Sequence, residues 1–262
     1  MNSKHEELIS GLTLLRLYDM ASQYVEIAKI AEKDKRTYEQ YLAKLVEIEL
    51  EAKNRQKVAR LLKAAKIPIY KGLDGYDFDV RTGITARAFN RLATGEFVRK
   101  AENVVFFGSF GVGKTHLAIA LTGKLCEAGF RCLHMTTHGL INQLLAAKRD
   151  LGLASLFKRL DKFDLIVCDE LGYVPHDQDG GDLFFQFISQ RAERKSLLIT
   201  TNLTYSEWDQ VFINTRTTAA AVDRVIHHCE TFNIGGETWR GKTARERFAK
   251  NELTKPASTV TQ

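Results

Sequence analysis

Two different hydrophobic patterns divide the chain. Up to about residue 66, apolar residues recur three or four positions apart, as on one face of a helix, beginning with Leu8, Leu12 and Leu15. From residue 103 onward, short apolar runs alternate with helical patterns. Apolar runs joined by helices are typical of doubly buried parallel strands, so this part predicts an α/β fold with a five-stranded parallel sheet. Strands are expected at 103–107, 131–135, 163–168, 196–201 and 231–234.

Local signals set boundaries within this plan. A polar break at 32–36 is followed by Thr37, and Gln40 three positions later completes a capping box for a long amphipathic helix. Pro68 is expected to end that helix. The sequence therefore predicts a small all-helical N-terminal domain over 1–66, an extended linker over 67–85, a main domain over 86–253 that begins with a short helix at 86–100, and a disordered tail over 254–262.

Composition narrows the class of protein. The 262 residues, 44% of them hydrophobic, are enough for one large domain with an appendage. A net charge of +6 favours a polyanionic partner. A nucleotide is itself such a partner, so the charge alone does not indicate DNA. The four cysteines lack C-x-x-C spacing, which indicates small buried side chains in a reducing compartment. Without a membrane-length apolar run or a signal-peptide pattern, we expect no membrane partner and a cytoplasmic location in a bacterium.

A glycine-rich segment, residues 108–115, lies between the first predicted strand and a helical pattern and fits G-x-x-x-x-G-K-[ST]. Its glycines allow backbone N–H groups to converge on phosphate oxygens, and the following helix adds its positive dipole end. Lys114 is expected to reach the β- and γ-phosphates of ATP, and Thr115 to bind Mg²⁺. A chance glycine-rich turn is the alternative, which the complete motif and its flanks disfavour. The predicted nucleotide-binding residues here are Gly108, Ser109, Phe110, Gly111, Val112, Gly113, Lys114, Thr115 and His116.

Two acidic residues end the third predicted strand. Asp169 is expected to hold Mg²⁺ and Glu170 to deprotonate the attacking water. Because ligands bind at the carboxyl ends of parallel strands, Lys114, Asp169 and Glu170 should converge. Asn202 ends the fourth strand and is assigned a role in placing that water. Its alternative role is an Asx turn or helix N-cap.

Three further positions invite functional interpretations. Arg224 lies on an otherwise apolar helix and is either a salt-bridge partner of Asp223 or a group that stabilises transition-state charge on a neighbouring subunit's ATP. His227 and His228 suggest a metal site, which we reject because adjacent helical residues face different ways and no third ligand is evident. Arg240 follows the last strand and is expected to approach the nucleotide.

The end of the long N-terminal helix is strongly basic. Basic residues three or four positions apart can follow a phosphate backbone, although a solvated helix face is an equally good interpretation of such a charge run. The candidate DNA-contacting residues in this helix are Lys53, Arg55, Lys57, Arg60 and Lys63.

Taken together, these motifs resemble the IstB family, AAA+ ATPases that help transposition of bacterial insertion sequences and are similar to DnaC helicase loaders. The resemblance extends over roughly 6–248. It rests on residues 108–121, on 169–173, on Thr-Thr-Asn-Leu at 200–203, on 223–228 and on Gly-Glu-Thr-Trp-Arg at 236–240. Phe110 stands where the family usually has Pro, and Thr238-Trp239 where it has Ser-Tyr. Neither departure removes a group that phosphate binding requires.

The resemblance implies an AAA+ P-loop core that self-associates with ATP between subunits. Position by position, Asn202 matches sensor 1, Arg224 the arginine finger and Arg240 a second nucleotide sensor. The family assembles on double-stranded DNA in an ATP-dependent way and presents it to a transposase. A second basic region is implied after the second strand, and we expect little sequence preference. Its candidate DNA-contacting residues are Lys148, Arg149, Lys158 and Arg159.

Two other functions share the same core. A helicase loader of the DnaC type would use residues 1–66 to bind a helicase ring, but that region matches the transposition helpers better. A metabolic P-loop kinase would need a lid over an acceptor substrate, and the sequence shows no such segment. The sequence therefore favours a DNA-stimulated ATPase that assists a transposase.

Overall fold

The computed structural model describes residues 3–69, 72, 73, 76, 78, 83–174, 177–212 and 215–236. The predictions for Arg240 and for the tail at 254–262 lie outside the described residues. The chain divides into two compact units, Met1–Arg60 and Leu61–Gln262.

The first unit is helical. It contains α1 (Ser3–Leu14), α2 (Tyr18–Lys33) and most of α3 (Tyr38–Ala64). The predicted capping box starts α3: the Thr37 N–H donates to Gln40 Oε1 at 3.0 Å, and the Gln40 N–H donates to Thr37 Oγ1 at 3.2 Å. Arg16 has a φ of 59° at the break between α1 and α2. No proline or glycine lies at this break, and it was not predicted.

Glu49 holds the start of α2. Its carboxylate is buried and accepts hydrogen bonds from the Asp19 and Met20 N–H groups at 2.9 and 3.0 Å. The first N–H groups of a helix lack intrahelical partners, and the N-cap residue of α2, Leu17, has no side-chain acceptor. A carboxylate from α3 therefore replaces the missing local cap.

The second unit is an α/β domain whose elements alternate along the chain. Before the first strand lie α4 (Ala86–Ala93) and α5 (Glu96–Arg99), which a left-handed Gly95 separates, so the single helix predicted at 86–100 is two. The remaining elements are β1 (Asn103–Phe107), α6 (Lys114–Glu127), β2 (Cys132–Thr136), α7 (Thr137–Arg149), α8 (Leu153–Leu160), β3 (Leu165–Leu171), α9 (Gln178–Arg191), β4 (Ser196–Thr201), a 3₁₀ turn (Tyr205–Glu207), α10 (Asp209–Phe212), α11 (Thr215–Ile226) and β5 (Cys229–Asn233).

The five strands form one parallel sheet in the order β2-β3-β4-β1-β5. The predicted α/β class, the parallel sheet and the existence of all five strands are confirmed. Because β1 lies between β4 and β5, and β4 lies between β1 and β3, the segments that follow β1, β3 and β4 emerge side by side at one edge. This order places the glycine-rich segment next to the end of β4, with the end of β3 one strand further along the sheet.

Each face of the sheet carries its own core. Val104 and Phe106 of β1 point into a cluster with α4, α5 and α6, whereas Val105 points into a second cluster with α7, α9, α10 and α11. The alternation follows from the two-residue period of a strand, and helices on both faces explain why the strands are continuously apolar. The predicted burial of the cysteines is confirmed for Cys126, Cys132 and Cys168, whereas Cys229 at the start of β5 is only partly buried.

Two buried polar side chains connect elements that lie far apart in sequence. Asn103 donates through Nδ2 to the Val225 carbonyl at 3.0 Å and accepts the Leu197 N–H at 2.9 Å, which joins β1, β4 and the end of α11. The Arg191 guanidinium donates to carbonyls that include those of Leu160 and Ser196, and burial lowers its pKa to about 10. Buried polar groups are retained where hydrogen bonds satisfy them.

A membrane-spanning helix would need a long apolar stretch. Among the helices of the described ranges, none combines the necessary length and apolar character.

Candidate nucleotide and hydrolysis site

The glycine-rich segment forms a tight turn between β1 and α6. Gly108, Gly111 and Gly113 have φ values of 147°, 76° and 101°, which residues with a side chain rarely adopt, and α6 begins at Lys114. At Gly108 a Cβ atom would come within 2.1 Å of the Ile234 carbonyl oxygen, a backbone atom that cannot swing away. The strand, turn and helix context predicted from the sequence is therefore present.

The other segment residues point in different directions. Ser109 and Phe110 are exposed, whereas Val112 is fully buried in the core. His116 is half-buried, and its Nε2 lies 2.8 Å from the Gly72 carbonyl oxygen. The assignment of the whole segment to nucleotide binding stays a prediction.

Lys114 lies across the turn. Its ammonium donates to the carbonyl oxygens of Gly108 and Ser109 at 2.7 and 2.8 Å. Burial lowers its pKa, and the carboxylates of Asp169 and Glu170 oppose that shift. A half-buried cation at the N-terminus of a helix is a favourable site for the phosphates of a nucleotide.

Asp169 is the centre of a hydroxyl network. Its Oδ1 accepts the Thr115 hydroxyl at 3.0 Å and a short hydrogen bond from the Thr200 hydroxyl, and its side chain is nearly buried. Its Oδ2 lies 3.8 Å from Nε2 of buried His134, whose pKa burial lowers. The structure thus brings together Thr115 and Asp169, the two oxygen ligands predicted for Mg²⁺.

A β-bulge separates the two acidic residues. The register of β3 against β4 shifts between Cys168 and Leu171, and Glu170 has a φ of 60°. Asp169 stays buried while Glu170 is exposed at the edge of the site. Non-glycine residues with such dihedrals carry strain that surrounding structure must hold, and bulges of this kind redirect a side chain beside a site.

Thr200 is the residue that the sequence analysis missed. Besides its bond to Asp169, its Oγ1 accepts the Glu170 N–H at 2.9 Å, so one hydroxyl positions both acidic residues. The available signal was its place in β4, two residues before Asn202. Because threonine is common in strands, its presence in β4 does not by itself indicate a functional role.

Asn202 lies just beyond β4, half-buried, at the same edge of the sheet. The alternative that it caps the following turn is wrong, because Thr204 is the N-cap there and forms a capping box with Glu207. Its role in placing a water stays a prediction.

Arg224 lies at the opposite end of the sheet from Lys114. The Asn103 N–H donates to the His228 carbonyl at 2.7 Å, which fixes the end of α11 beside the start of β1, whereas the glycine-rich turn follows the other end of β1. Five residues of strand separate these ends by about 16 Å. Arg224 donates to the Ala220 carbonyl at 3.1 Å and lies over the Phe185 ring at 5.1 Å. It is therefore not part of this chain's own phosphate site.

Several candidate DNA-contacting residues have acidic neighbours. Lys53 lies 3.5 Å from Glu49, Arg55 lies 3.8 Å from Glu51 and Lys148 lies 2.9 Å from Asp179. Surface pairs of this kind are weak, but each reduces the local positive potential. The candidates Lys57, Arg60, Lys63, Arg149, Lys158 and Arg159 are exposed.

The arrangement around Asp169 fits a nucleotide with Mg²⁺. Magnesium prefers oxygen ligands and retains water, and the Thr115 hydroxyl and Asp169 carboxylate lie within hydrogen-bonding distance of each other. The turn and Lys114 offer donors to phosphates, and Glu170 is exposed beside them. These residues have the chemistry that binding and hydrolysis of a nucleoside triphosphate require.

Comparison with known proteins decides the family. The model of the IstB-like ATP binding protein family matches residues 10–247. The chain belongs to this family. It is 35% identical to an insertion-sequence protein of Sinorhizobium fredii named for ATP binding, over 94% of this chain and 83% of that protein. It is 32% identical to the correspondingly named protein of insertion sequence IS21 from Pseudomonas aeruginosa, over 96% of this chain and 95% of that protein.

A solved structure supports the fold of this IstB-like protein. The replication initiator DnaA bound to AMPPCP and single-stranded DNA aligns with a TM-score of 0.52 at 17% identity, over 72% of this chain and 57% of that chain. The fold is that of an AAA+ P-loop NTPase, as the sequence resemblance implied. Membership of the family further implies that the protein binds a nucleotide.

Proposed function

We propose that this IstB-like protein hydrolyses ATP with Mg²⁺, assembles on double-stranded DNA in its ATP-bound form, and helps a transposase to engage target DNA. The observation that carries the proposal is the network of Thr115, Asp169, Thr200 and Glu170 beside the glycine-rich turn, in a chain whose relatives are named as insertion-sequence proteins. This network supports hydrolysis, and the relatives support the transposition role.

The residues divide the chemistry among them. Lys114 and the backbone of the turn hold the β- and γ-phosphates, and bound Mg²⁺ neutralises charge on the phosphate oxygens. Glu170, which the bulge leaves exposed, accepts the proton of the attacking water, and Asn202 orients that water. The Thr200 hydroxyl keeps Glu170 and Asp169 in place.

Arg224 supports an intersubunit site. Because it lies a full strand length from its own glycine-rich turn, it can stabilise transition-state charge only on a neighbour's ATP. The proposed oligomer therefore has ATP between subunits, with Lys114 of one chain facing Arg224 of the next. Hydrolysis of that ATP would then remove the contact between its γ-phosphate and Arg224 of the neighbouring chain and weaken the subunit interface.

The basic residues of α3 and α8 support contact with a phosphate backbone. Lys57, Arg60, Lys158 and Arg159 are exposed, and the chain carries a net charge of +6. Cation contacts to phosphates give affinity without sequence preference. We therefore propose duplex binding that depends on salt and on ATP.

The test is a pair of measurements on the full chain with one control. ATP hydrolysis is measured with and without duplex DNA, and DNA binding is measured at moderate salt with ATP, ADP or no nucleotide. We expect DNA to stimulate hydrolysis and ATP to promote DNA binding, and Lys114→Ala to abolish both effects. Hydrolysis that DNA leaves unchanged, together with DNA binding that ATP leaves unchanged, would overturn the proposal.

The choice between a transposase and a helicase as partner needs its own measurement. The relatives' names connect them to insertion sequences, which favours a transposase. A pull-down offers the protein both the transposase of its own insertion sequence and a replicative helicase. Capture of the helicase alone would contradict this part of the proposal and favour a loader.

A further inference from the structure

A second cluster of polar side chains lies far from the glycine-rich turn. It consists of Glu193, His227 and His228, which are all exposed, and their candidate ligand atoms lie within 4.8 Å of one another. His227 Nδ1 is 3.6 Å from a Glu193 carboxylate oxygen, and the two imidazole rings have centroids 4.4 Å apart. These side chains already converge on one small volume.

The backbone explains why two adjacent histidines can act together. α11 ends at Ile226, so His227 and His228 lie in the turn that leads into β5 and not on a regular helix. Outside a regular helix, adjacent side chains do not have to face different ways, and these two rings lie beside each other. The third ligand, Glu193, comes from the turn between α9 and β4, where its φ is 60°, and sequence spacing gives no sign of it.

The tertiary structure fixes these two turns beside each other. The Asn103 N–H donates to the His228 carbonyl, and the Asn103 side chain binds Val225 on one side and Leu197 on the other. A buried asparagine thus holds the end of α11 and the start of β4 against β1. The cluster is therefore attached to hydrogen-bonded elements of the sheet.

The donor set selects a class of ion. Two imidazole nitrogens and one carboxylate are typical of zinc and of the related ions Co²⁺, Ni²⁺ and Cu²⁺, whereas Mg²⁺ and Ca²⁺ prefer sites made of oxygen alone. Three protein ligands leave a fourth position open. A cavity of about 150 Å³ adjoins the cluster and is lined by these residues together with Asp223 and Arg224, so there is space for a water ligand.

We propose that Glu193, His227 and His228 form a binding site for a zinc-class divalent cation, separate from this chain's own nucleotide site. The ion ties the turn after α9 to the end of α11 and leaves one coordination position open to solvent. Arg224 precedes His228 by about one helical turn, so the ion also restrains the segment that carries this arginine. Binding of the ion does not depend on ATP hydrolysis, and its test is independent of the proposed function.

The experiment is a cobalt titration of the full-length, chelator-treated protein. Co²⁺ is added in the presence of excess Mg²⁺, which occupies oxygen-rich sites, and visible absorption is recorded. We expect one equivalent to bind with the strong visible bands of four-coordinate cobalt, and zinc to displace it. The same ion should raise the midpoint of thermal unfolding, because a ligand that binds only the folded state stabilises it.

Matched variants locate the site. Glu193→Gln and His228→Ala change exposed side chains, and each should weaken cobalt binding by at least about tenfold. His138→Ala, at an exposed histidine on α7, and Asp169→Asn, at the nucleotide site, should leave the cobalt spectrum and affinity unchanged. Circular dichroism checks that each variant is folded. The proposal would be overturned if the unaltered protein showed no saturable cobalt binding. It would also be overturned if folded Glu193→Gln and His228→Ala bound cobalt as tightly as the unaltered protein.

Discussion

At the scale of single residues, the site depends on where two neighbouring carboxylates point. Asp169 and Glu170 follow each other in sequence, but the bulge in β3 buries the first and exposes the second. The burial of Asp169 against Thr115 and Thr200 suits a metal ligand, whereas the exposure of Glu170 suits a group that must meet water. The strain of a φ of 60° at Glu170 is held by the hydrogen bond from its N–H to Thr200.

Glu170→Gln tests the proposed base. The amide keeps the size of the side chain but cannot accept a proton, so we expect ATP turnover to fall by about 10²- to 10⁴-fold. Binding of ATP, measured by equilibrium titration, should change little because Lys114 and the turn are intact. The variant should also remain on DNA longer in ATP. Turnover at the unaltered rate would contradict the role of Glu170.

Thr200→Val tests the residue that the sequence analysis missed. Valine has nearly the shape of threonine, so the core of β4 should remain packed while both hydrogen bonds disappear. Hydrogen bonds to charged groups contribute about 1.5–3 kcal/mol, which corresponds to a fall in turnover of roughly 10- to 100-fold.

Thr201→Val is a matched control on the same strand. The Thr201 hydroxyl donates to the Leu171 carbonyl and not to either acidic side chain. Stopped or slowed turnover in this variant, with little effect in Thr200→Val, would show that general packing of β4 matters and that the proposed positioning role is wrong.

At the scale of elements, the strand order decides which motifs meet. The ends of β1, β4 and β3 lie side by side, so the glycine-rich turn, Thr200 and Asp169 share one edge of the sheet. The start of β5 and the end of α11 lie at the other edge, with Asn103 as their anchor. The separation along β1 places Arg224 away from this chain's own glycine-rich turn, which supports the proposed role on a neighbouring subunit's ATP.

A mixing experiment tests that assignment. Arg224→Ala alone should lower turnover by about 10³- to 10⁵-fold, the effect of losing an arginine finger, while ATP binding to the subunit is retained. Lys114→Ala alone should lose ATP binding. When the two inactive variants are mixed, some interfaces combine an intact Lys114 with an intact Arg224, and part of the activity should return.

The control for this experiment is Arg194→Ala, which removes an exposed arginine paired with Asp161 in the turn after α9. It should leave turnover unchanged. If Arg224→Ala loses ATP binding in the separate subunit, or if mixing restores no activity, the intersubunit role is wrong.

At the scale of the whole molecule, basic side chains occur in both compact units. The first unit carries Lys57 and Arg60 near the end of α3, and the second carries Lys158 and Arg159 on α8. In the described part of the chain, none of these four side chains has an acidic side chain within ion-pair distance. Lys53, Arg55 and Lys148 each have one. The folded structure therefore favours these four as DNA-contacting residues over the three that have acidic neighbours, a distinction that the sequence alone does not make.

Charge reversal tests this ranking. Lys57→Glu and Lys158→Glu should each weaken duplex binding at all sequences and reduce the slope of log affinity against log salt by about one. Lys44→Glu makes the same change of net charge on α3, at a lysine paired with Glu47, and serves as the control. Equal weakening by all three would indicate an effect of net charge alone. No weakening by Lys57→Glu would exclude α3 as a DNA-contacting element.

The sequence by itself determined the α/β class, the five strands, the start of α3 and the motifs at 108–115 and 169–170. These features depend on local periodicity and on residue types that few other structures require. It did not reveal the break between α1 and α2, the division of the helix at 86–100, or the cap that Glu49 provides. Those depend on partners distant in sequence or on single dihedral angles.

Only the tertiary structure decided how the motifs combine. Strand order, the bulge at Glu170 and the double role of Thr200 arise from pairing between strands that are remote in sequence. The same is true of Glu193 beside His227 and His228, which no spacing rule could detect because Glu193 comes from a different turn from the two histidines. The sequence identified most of the candidate groups, and the packing of the sheet determined which of them lie together.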